Sequence, residues 1–307
     1  MVKREFDLGV TLGPLTLKNP VMTASGTFGY GEEFTPFLDL NRLGGFVVKG
    51  LSLRPRPGNP PPRTCETPSG MLNSIGLENC GIDAFLGEKL PRIRKYNCAI
   101  VANIFGETLE EYVAVARKAE GAEGLAALEL NISCPNTARG GLDFGCDAKS
   151  TREVVRAVRD VNSLPLMVKL APNVTDIRPL AEAAQQGGAD ILTLVNTYLG
   201  MAVDVVKRRP KLATRYGGLS GPAIRPLAVY QIDRVRSAVD LPLIGMGGIL
   251  STEDALEFFL VGASAIQIGT ANFVDPRSSM RILEGIRDYL QRENIPDLRA
   301  LIGALPR

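Results

Sequence analysis

Eight short apolar segments, each followed by small or polar residues, recur along the 307-residue chain and constrain its fold more than any other feature. Their apolar residues are continuous rather than alternating, as in parallel strands that are buried on both faces. Helical patterns separate most of them. The eight segments are 20–25, 45–49, 99–104, 126–132, 166–170, 191–196, 243–246 and 265–268.

The alternation of eight strands with helices predicts an α/β protein, a (β/α)₈ TIM barrel, with residues 1–307 forming a single domain. A doubly wound open sheet is the alternative, but its usual Gly-x-Gly-x-x-Gly opening is absent from the first strand–helix turn. Helices are predicted from Leu109 and at 151–161, 177–186, 227–239, 252–261 and 278–292, with capping boxes beginning at Thr108 and Ser251.

Two connections, 51–97 and 197–222, are too long for simple barrel loops and show little helical pattern. Long insertions of this kind are more often functional lids or interface segments than idle loops. We therefore expect them to extend the C-terminal face of the strands, which is where TIM barrels place their active sites.

Charge and hydropathy exclude several classes of protein. The net charge is +2 and basic residues are not clustered with aromatic ones, so nucleic acid is not expected as a ligand. No apolar stretch reaches the roughly 18 residues of a membrane span, and residues 1–7 lack the apolar segment of a signal peptide. We expect a cytoplasmic protein that does not enter the membrane.

The chain contains five cysteines and no histidine. An odd number of widely spaced cysteines indicates reduced thiols, and because no pair has C-x-x-C spacing, no metal or iron–sulfur site is expected in this chain. The absence of histidine excludes Ser-His, Cys-His and His–metal mechanisms. A general base near neutral pH must be a carboxylate, a lysine, a tyrosine or a cysteine.

Polar residues and glycines stand where the predicted strands end, at the expected position of the active site. A single asparagine there usually caps a helix, but several asparagines and two lysines at one rim predict a planar, amide-rich, anionic ligand. The strand-end residues are Ser25, Lys49, Asn103, Asn131, Lys169, Asn196 with Thr197, Gly247 with Gly248, and Gly269 with Thr270.

The glycines after the seventh and eighth strands match the recurrent phosphate site of TIM barrels, in which backbone N–H groups bind the oxyanion. The segment 217–221 (GGLSG) offers further amide donors. Glycines also serve tight turns, but their position predicts a phosphate-bearing cofactor.

Cys134 follows the fourth predicted strand and lies between Asn131 and Asn136. An unperturbed thiol has a pKa of roughly 8.5, and nearby lysines favour its thiolate, so Cys134 is a candidate base. We expect the other four cysteines, Cys65, Cys80, Cys98 and Cys146, to be small buried hydrophobes.

Seven segments, spread over essentially the whole chain, resemble the dihydroorotate dehydrogenases. They are 20–31 (PVMTASGTFGYG), 73–77 (NSIGL), 131–137 (NISCPNT), 195–197 (VNT), 218–223 (GLSGPA), 245–249 (GMGGI) and 268–270 (IGT). The resemblance implies FMN-dependent oxidation of dihydroorotate to orotate in pyrimidine biosynthesis. Cys134 would take the proton from C5, which lies α to a carbonyl, while hydride passes from C6 to flavin N5.

The resemblance also assigns roles to the residues at the barrel mouth. Lys169 would offset the charge that develops on the flavin. The residues implied around FMN are Ser25, Lys49, Gly50, Asn103, Asn131, Lys169, Val195, Gly221, Gly247, Gly248, Gly269 and Thr270. Those implied around the substrate are Lys49, Asn73, Ser74, Ile75, Gly76, Leu77, Asn131, Asn196 and Thr197.

With a cysteine rather than a serine at the base position, the chain resembles the soluble class 1 enzymes. The segments ASGTFGYG and NSIGL resemble the class 1B type, whose catalytic chain pairs with an electron-transfer subunit carrying FAD and a 2Fe–2S cluster and passes electrons to NAD. This implies a homodimer of this chain within a heterotetramer of two catalytic and two electron-transfer chains. The alternatives are a partner-free class 1A homodimer that uses fumarate, a related flavin barrel acting on dihydrouracil, and a non-redox barrel that binds a phosphorylated metabolite.

Overall fold

Eight parallel strands close into a barrel in the computed structural model, which describes residues 7–132 and 145–306. Each strand pairs with the next one along the chain, and the eighth pairs with the first. The strands are β1 (Val21–Thr23), β2 (Gly45–Val47), β3 (Ala99–Ile104), β4 (Ala127–Asn131), β5 (Leu166–Lys169), β6 (Ile191–Leu194), β7 (Leu243–Met246) and β8 (Ala265–Ile268). The predicted TIM barrel is confirmed.

The strands are buried along their length, because helices cover the outside and side chains fill the interior. This double burial explains why the sequence shows continuous apolar segments. The covering helices are Leu109–Ala119, Ala148–Arg159, Arg178–Gly187, Arg225–Arg236, Thr252–Val261, Ala271–Val274 and Ser278–Arg292, with 3₁₀ turns at Glu32–Phe34, Leu40–Arg42, Pro222–Ile224 and Leu298–Ala300.

The two predicted capping boxes differ. The hydroxyl of Ser251 accepts the N–H of Asp254, whose carboxylate accepts the N–H of Ser251 in return, so this box is complete. Thr108 accepts the N–H of Glu111, but the Glu111 carboxylate accepts from Glu107, one residue before the cap. The prediction of a complete capping box at Thr108 was therefore wrong, because the return hydrogen bond from the Thr108 N–H to Glu111 is replaced by one from Glu107.

The first insertion contains a helix that the sequence pattern did not reveal. It consists of an α turn (Ile82–Ala84), a π-helical segment (Phe85–Lys89) and a second α turn (Leu90–Ile93). Its fully buried residues Ile82, Phe85, Leu90 and Ile93 are spaced by three, five and three positions. The extra residue in the π-helical segment breaks the 3.6-residue period by which an amphipathic helix is recognised.

The two insertions meet in one antiparallel sheet of four strands. Its order is Tyr198–Gly200, Gly217–Ser220, Gly70–Asn73 and Thr64–Thr67, so the inner pair joins the second insertion to the first. A separate two-stranded ribbon, Val203–Asp204 with Arg209–Pro210, projects from the second insertion.

The opposite end of the barrel is covered by an N-terminal hairpin, Val10–Leu12 with Leu15–Leu17. The hairpin turn at Gly13 lies close to Asp190, immediately before β6. The Lys18 ammonium that follows the hairpin donates to the backbone oxygens of Asn41 and Asn97, which precede β2 and β3. The C-terminal ends of the strands are therefore the end at which a ligand can enter.

The four cysteines outside the Cys134 segment are not the fully buried hydrophobes that we expect from the sequence. Cys65, Cys80 and Cys98 are half-buried, and Cys146 is exposed in the turn before a helix. Burial nevertheless raises the pKa of the Cys98 thiol to about 11, only partly opposed by Lys18, so this cysteine stays protonated. Within residues 7–132 and 145–306, no helix is both long enough and apolar enough to cross a bilayer.

Gly70 packs directly against the backbone of the second insertion, and we expect Gly70→Ala to loosen this contact. Its φ is 154°, and an added Cβ would collide with the backbone oxygen of Ser220. The free energy of unfolding should fall by roughly 1–3 kcal/mol in urea titrations followed by circular dichroism. Gly87→Ala is the matched control, because its Cβ would meet nothing within 4 Å and should be neutral or stabilising. Equal losses in the two variants would contradict this role of Gly70.

Candidate functional site

A cavity of about 800 Å³ opens at the C-terminal ends of the strands. Residues at or directly after the end of every one of the eight strands reach it, so the barrel itself positions the site. Its volume lies in the range of cofactor and substrate sites, roughly 300–1,000 Å³.

Every predicted site residue that the structure describes lines this single cavity, and the roles assigned to them stay predictions. They are Ser25, Lys49, Gly50, Asn73, Ser74, Ile75, Gly76, Leu77, Asn103, Asn131, Lys169, Val195, Asn196, Thr197, Gly221, Gly247, Gly248, Gly269 and Thr270. Cys134 lies outside the described residues.

Asparagine side chains from several elements converge on one side of the cavity. The Asn196 amide donates to Asn131 Oδ1 at 3.3 Å, and its own Oδ1 accepts the N–H of Thr197 at 2.8 Å. Asn73, on the insertion sheet, donates to the backbone oxygen of Gly218 at 3.4 Å. These amides combine donors and acceptors, as recognition of an amide-rich planar ligand requires.

The segment Asn73–Leu77 is held over the cavity by Asn59. Asn59 donates from its side chain to the backbone oxygen of Ser74 at 2.9 Å and from its backbone to that of Ile75. Ser74 also donates its N–H to the backbone oxygen of Arg63. These bonds fix the shape of the segment by main-chain contacts, leaving its side chains available to the cavity.

Two lysines carry positive charge at different depths. Lys169 is buried at the end of β5, where its ammonium donates to Ser25 Oγ at 3.2 Å and lies 4.0 Å from the carboxylate of Glu129. Burial lowers the pKa of Lys169, and the charge of Glu129 opposes that shift. Lys49 is half-buried and forms no ion pair with any residue in the described ranges. A bound anion would compensate its charge.

The glycine segments after β6, β7 and β8 lie together at one side of the cavity. The Thr270 hydroxyl donates to Ser220 Oγ at 2.8 Å, which joins the end of β8 to the second insertion. Gly247 and Gly248 have φ values of 123° and 75°, a backbone conformation that side chains disfavour. Successive backbone N–H groups in such turns form concave anion sites, so this side of the cavity fits a phosphate.

Two buried polar atoms test whether a flavin-sized group fits. Asn103 Oδ1 and Ser74 Oγ are inaccessible to water, and neither has a hydrogen-bond partner among the described residues. A buried acceptor without a partner costs roughly 1–3 kcal/mol, which a ligand bearing N–H groups would recover. The donor set, the phosphate-like glycine turns and the cavity volume all fit FMN.

Comparisons with known proteins show the family of this chain. The profile of the family described as "Dihydroorotate dehydrogenase" matches residues 7–290. The chain belongs to the dihydroorotate dehydrogenase family. A relative from Geotalea daltonii is 54% identical over 97% of this chain and 98% of its own length. A relative from Bacteroides thetaiotaomicron is 51% identical over 97% of this chain and 99% of its own length. Both are named "Dihydroorotate dehydrogenase B (NAD(+)), catalytic subunit".

Some residues of this family member's site were not found from its sequence. Met71, Tyr216 and Phe273 line the cavity, and only the pairing of the insertions brings the first two together. Glu129 and Gln267 lie beneath it, in the middle of β4 and at the third position of β8. A charged residue within an otherwise apolar strand was the signal available for Glu129, since such residues are almost never fully buried unless paired.

Proposed function

We propose that this chain is the catalytic subunit of an NAD-linked dihydroorotate dehydrogenase, a single FMN-binding domain that oxidises (S)-dihydroorotate to orotate in de novo pyrimidine biosynthesis in the cytoplasm. The observation that carries the proposal is the cavity itself. In a chain of this family, one mouth unites two lysines, five asparagines and the glycine turns of the last two strands. Orotate is a planar, amide-rich anion, and FMN carries a phosphate, so each group of residues has a matching ligand.

FMN would lie against the ends of most strands. Gly221, Gly247, Gly248, Gly269 and Thr270 would hold its phosphate through backbone N–H groups and a hydroxyl. The ring system would be contacted by Ser25, Lys49, Gly50, Asn103, Asn131, Lys169 and Val195. When bound, FMN supplies the acceptor for the hydride that leaves substrate C6.

The substrate would lie between the insertion sheet and the asparagines. Lys49 would bind the orotate carboxylate, because its ammonium has no ion-pair partner in the described part of the chain. Asn131, Asn196 and Thr197 would bind the ring amides from the barrel side. The segment Asn73–Leu77, held in shape by Asn59, would cover the substrate from the other side.

The base for the C5 proton is proposed to be Cys134. Among the described residues that line the cavity, Glu78 is the carboxylate, and it pairs with Arg63 at 2.5 Å. The chain has no histidine, and Cys134 follows Asn131, a lining residue, by three positions. The dihydroorotate ring would lose a proton from C5 to the thiolate and a hydride from C6, and a C5=C6 double bond would form.

Cys134→Ala should slow bleaching of the flavin by dihydroorotate by a factor of roughly 10²–10⁴, the usual contribution of a general base, while FMN remains bound. The measurement is anaerobic stopped-flow absorbance of the FMN-loaded chain. Cys98→Ala is the matched control, because that thiol is protonated and remote from the cavity. Near-normal bleaching in the Cys134 variant would remove this residue as the base.

Lys49→Met should weaken orotate binding by roughly 10- to 100-fold, because a charge-assisted hydrogen bond is worth about 1.5–3 kcal/mol. The same variant should lose most of its preference for dihydroorotate over dihydrouracil, which lacks the carboxylate. Titration of the flavin absorbance with orotate and a two-substrate rate comparison measure both effects. Lys211→Met, on the exposed part of the second insertion, is the control. Retained discrimination would assign carboxylate recognition to another residue.

The electron acceptor is proposed to be NAD, reached through a partner subunit that carries FAD and a 2Fe–2S cluster. The printed name of the relatives, a catalytic subunit of an NAD(+) enzyme, supports this assembly. Val205 and Val206, at the tip of the exposed ribbon, are 80% and 87% exposed, as in surfaces that contact other chains. A homodimer of this chain within a heterotetramer of two catalytic and two electron-transfer chains completes the proposal.

Affinity purification of this chain from its source cells tests the assembly. We expect a second subunit with FAD and iron–sulfur absorbance to co-purify, and the complex to reduce NAD with dihydroorotate. Fumarate-dependent turnover by a chain that purifies alone would instead support the partner-free homodimer.

A further inference from the structure

A carboxylate is buried directly beneath the cavity. Glu129 is the middle residue of β4 and is fully inaccessible to solvent. Its side chain lies on the same face of the strand as that of Asn131, two residues further towards the cavity. The carboxylate accepts hydrogen bonds from the amide of Asn103 on β3 at 2.7 Å and from that of Gln267 on β8 at 2.8 Å.

The carboxylate of Glu129 determines which way the Asn103 amide points. An ionised carboxylate only accepts hydrogen bonds, so each amide must turn its NH₂ group towards it. Asn103 Oδ1 is therefore the atom that remains without a partner among the described residues, and Asn103 lines the cavity. At this lining residue the amide oxygen, and not the NH₂ group, is therefore the atom left free of protein partners in the described ranges. Gly50 leaves room here, because a Cβ on it would come within 2.9 Å of this oxygen.

The same carboxylate balances the charge of Lys169. Glu129 Oε1 lies 4.0 Å from the Lys169 ammonium, and both side chains are buried. Burial lowers the pKa of Lys169, and Glu129 is the group that raises it again. Without this partner the buried ammonium would tend to lose its proton, since an uncompensated buried ion costs several kcal/mol.

In the described part of the chain, the other side chains that face the Glu129–Lys169 pair are uncharged. Asn103, Thr193 and Gln267 face it from β3, β6 and β8, and Ser25 accepts from Lys169 beyond β1. Lys49, after β2, is the second cation of the cavity.

We propose that Glu129 is a positioning residue of the cofactor site, which holds Lys169 as an ammonium and Asn103 as an acceptor towards the bound flavin. This inference rests on the proposed function, because it concerns the group that the cavity binds. Glu129 touches neither ligand and acts through its two neighbours. A purely structural ion pair would support the barrel and leave the properties of the bound flavin unchanged.

Glu129→Gln keeps the length of the side chain and removes its charge. We expect FMN to bind roughly tenfold more weakly, because either amide of the new network can reverse and the Asn103 acceptor is no longer enforced. The midpoint potential of the bound FMN, plotted against pH, should gain a bend that the wild-type protein lacks, as Lys169 begins to titrate. The bend should disappear in Glu129→Gln/Lys169→Met, which assigns it to the lysine rather than to a thiol.

The control for a buried polar substitution is Ser279→Ala, which removes a buried hydroxyl without a partner in the described ranges, in the helix Ser278–Arg292 and away from the cavity. It should match wild type in FMN affinity and in the pH profile. A missing bend, an unchanged FMN affinity in Glu129→Gln, or a bend that survives in the double variant would each overturn the proposal. A wild-type chain that binds no FMN would instead defeat the proposed function.

Glu129→Asp provides a second test should Glu129→Gln fail to fold. Aspartate keeps the charge but is one methylene shorter, so it cannot reach both amides in their present positions. We expect weaker FMN binding, again by roughly tenfold, with the wild-type pH profile. Wild-type affinity in this variant would show that the reach of Glu129 has no bearing on the cofactor site and would overturn the proposal.

Discussion

Closure of the barrel is the constraint on which the rest of this molecule depends. Because β8 pairs with β1, no strand edge is left open, and the backbone polar groups of the wall are satisfied within it. One end is covered by the N-terminal hairpin, so polar chemistry is confined to the other. Each strand delivers its last residues to that mouth, which is how residues more than 200 positions apart, such as Ser25 and Gly269, come to line one cavity.

The polar side chains in this barrel form layers of different function. At the mouth, Asn73, Asn196 and Lys49 are partly exposed and can exchange protein contacts for ligand contacts. One level deeper, the carboxylate of Glu129 accepts hydrogen bonds from the amides of Asn103 and Gln267 and is not exposed to solvent. Both carboxylate oxygens are thus paired, whereas the oxygens of the two amides, Asn103 Oδ1 and Gln267 Oε1, have no partner among the described residues. The orientation of the amides beneath the cavity would then be fixed before any ligand binds.

Much of this architecture was predictable from the sequence. The bounds of β3, β7 and β8 match the predicted segments, because a strand buried on both faces is largely apolar. The strand-end residues were found because topology alone brings them together. The helix within the first insertion was missed because its π-helical segment hides the 3.6-residue period of its buried side chains. The four-stranded sheet was missed because residues 70–73 pair with residues 217–220, and no local sequence pattern encodes a pairing so distant along the chain. Glu129 was missed because it lies inside a strand, where the sequence gives no sign of the Asn103 and Gln267 amides that other strands bring to it.

The pairing of the two insertions bears on how the protein is made. Gly70–Asn73 cannot pair with Gly217–Ser220 until the chain has been synthesised beyond Ser220, and β8 closes the barrel later still. Contacts this distant in sequence carry a large loop-closure cost and form late. A chain truncated before residue 220 would contain Lys49, Lys169 and the asparagines, but the four-stranded sheet that joins the two insertions could not form. The cavity is therefore a property of the finished barrel, and a partly synthesised chain lacks the residues at or directly after the ends of β7 and β8 that line it.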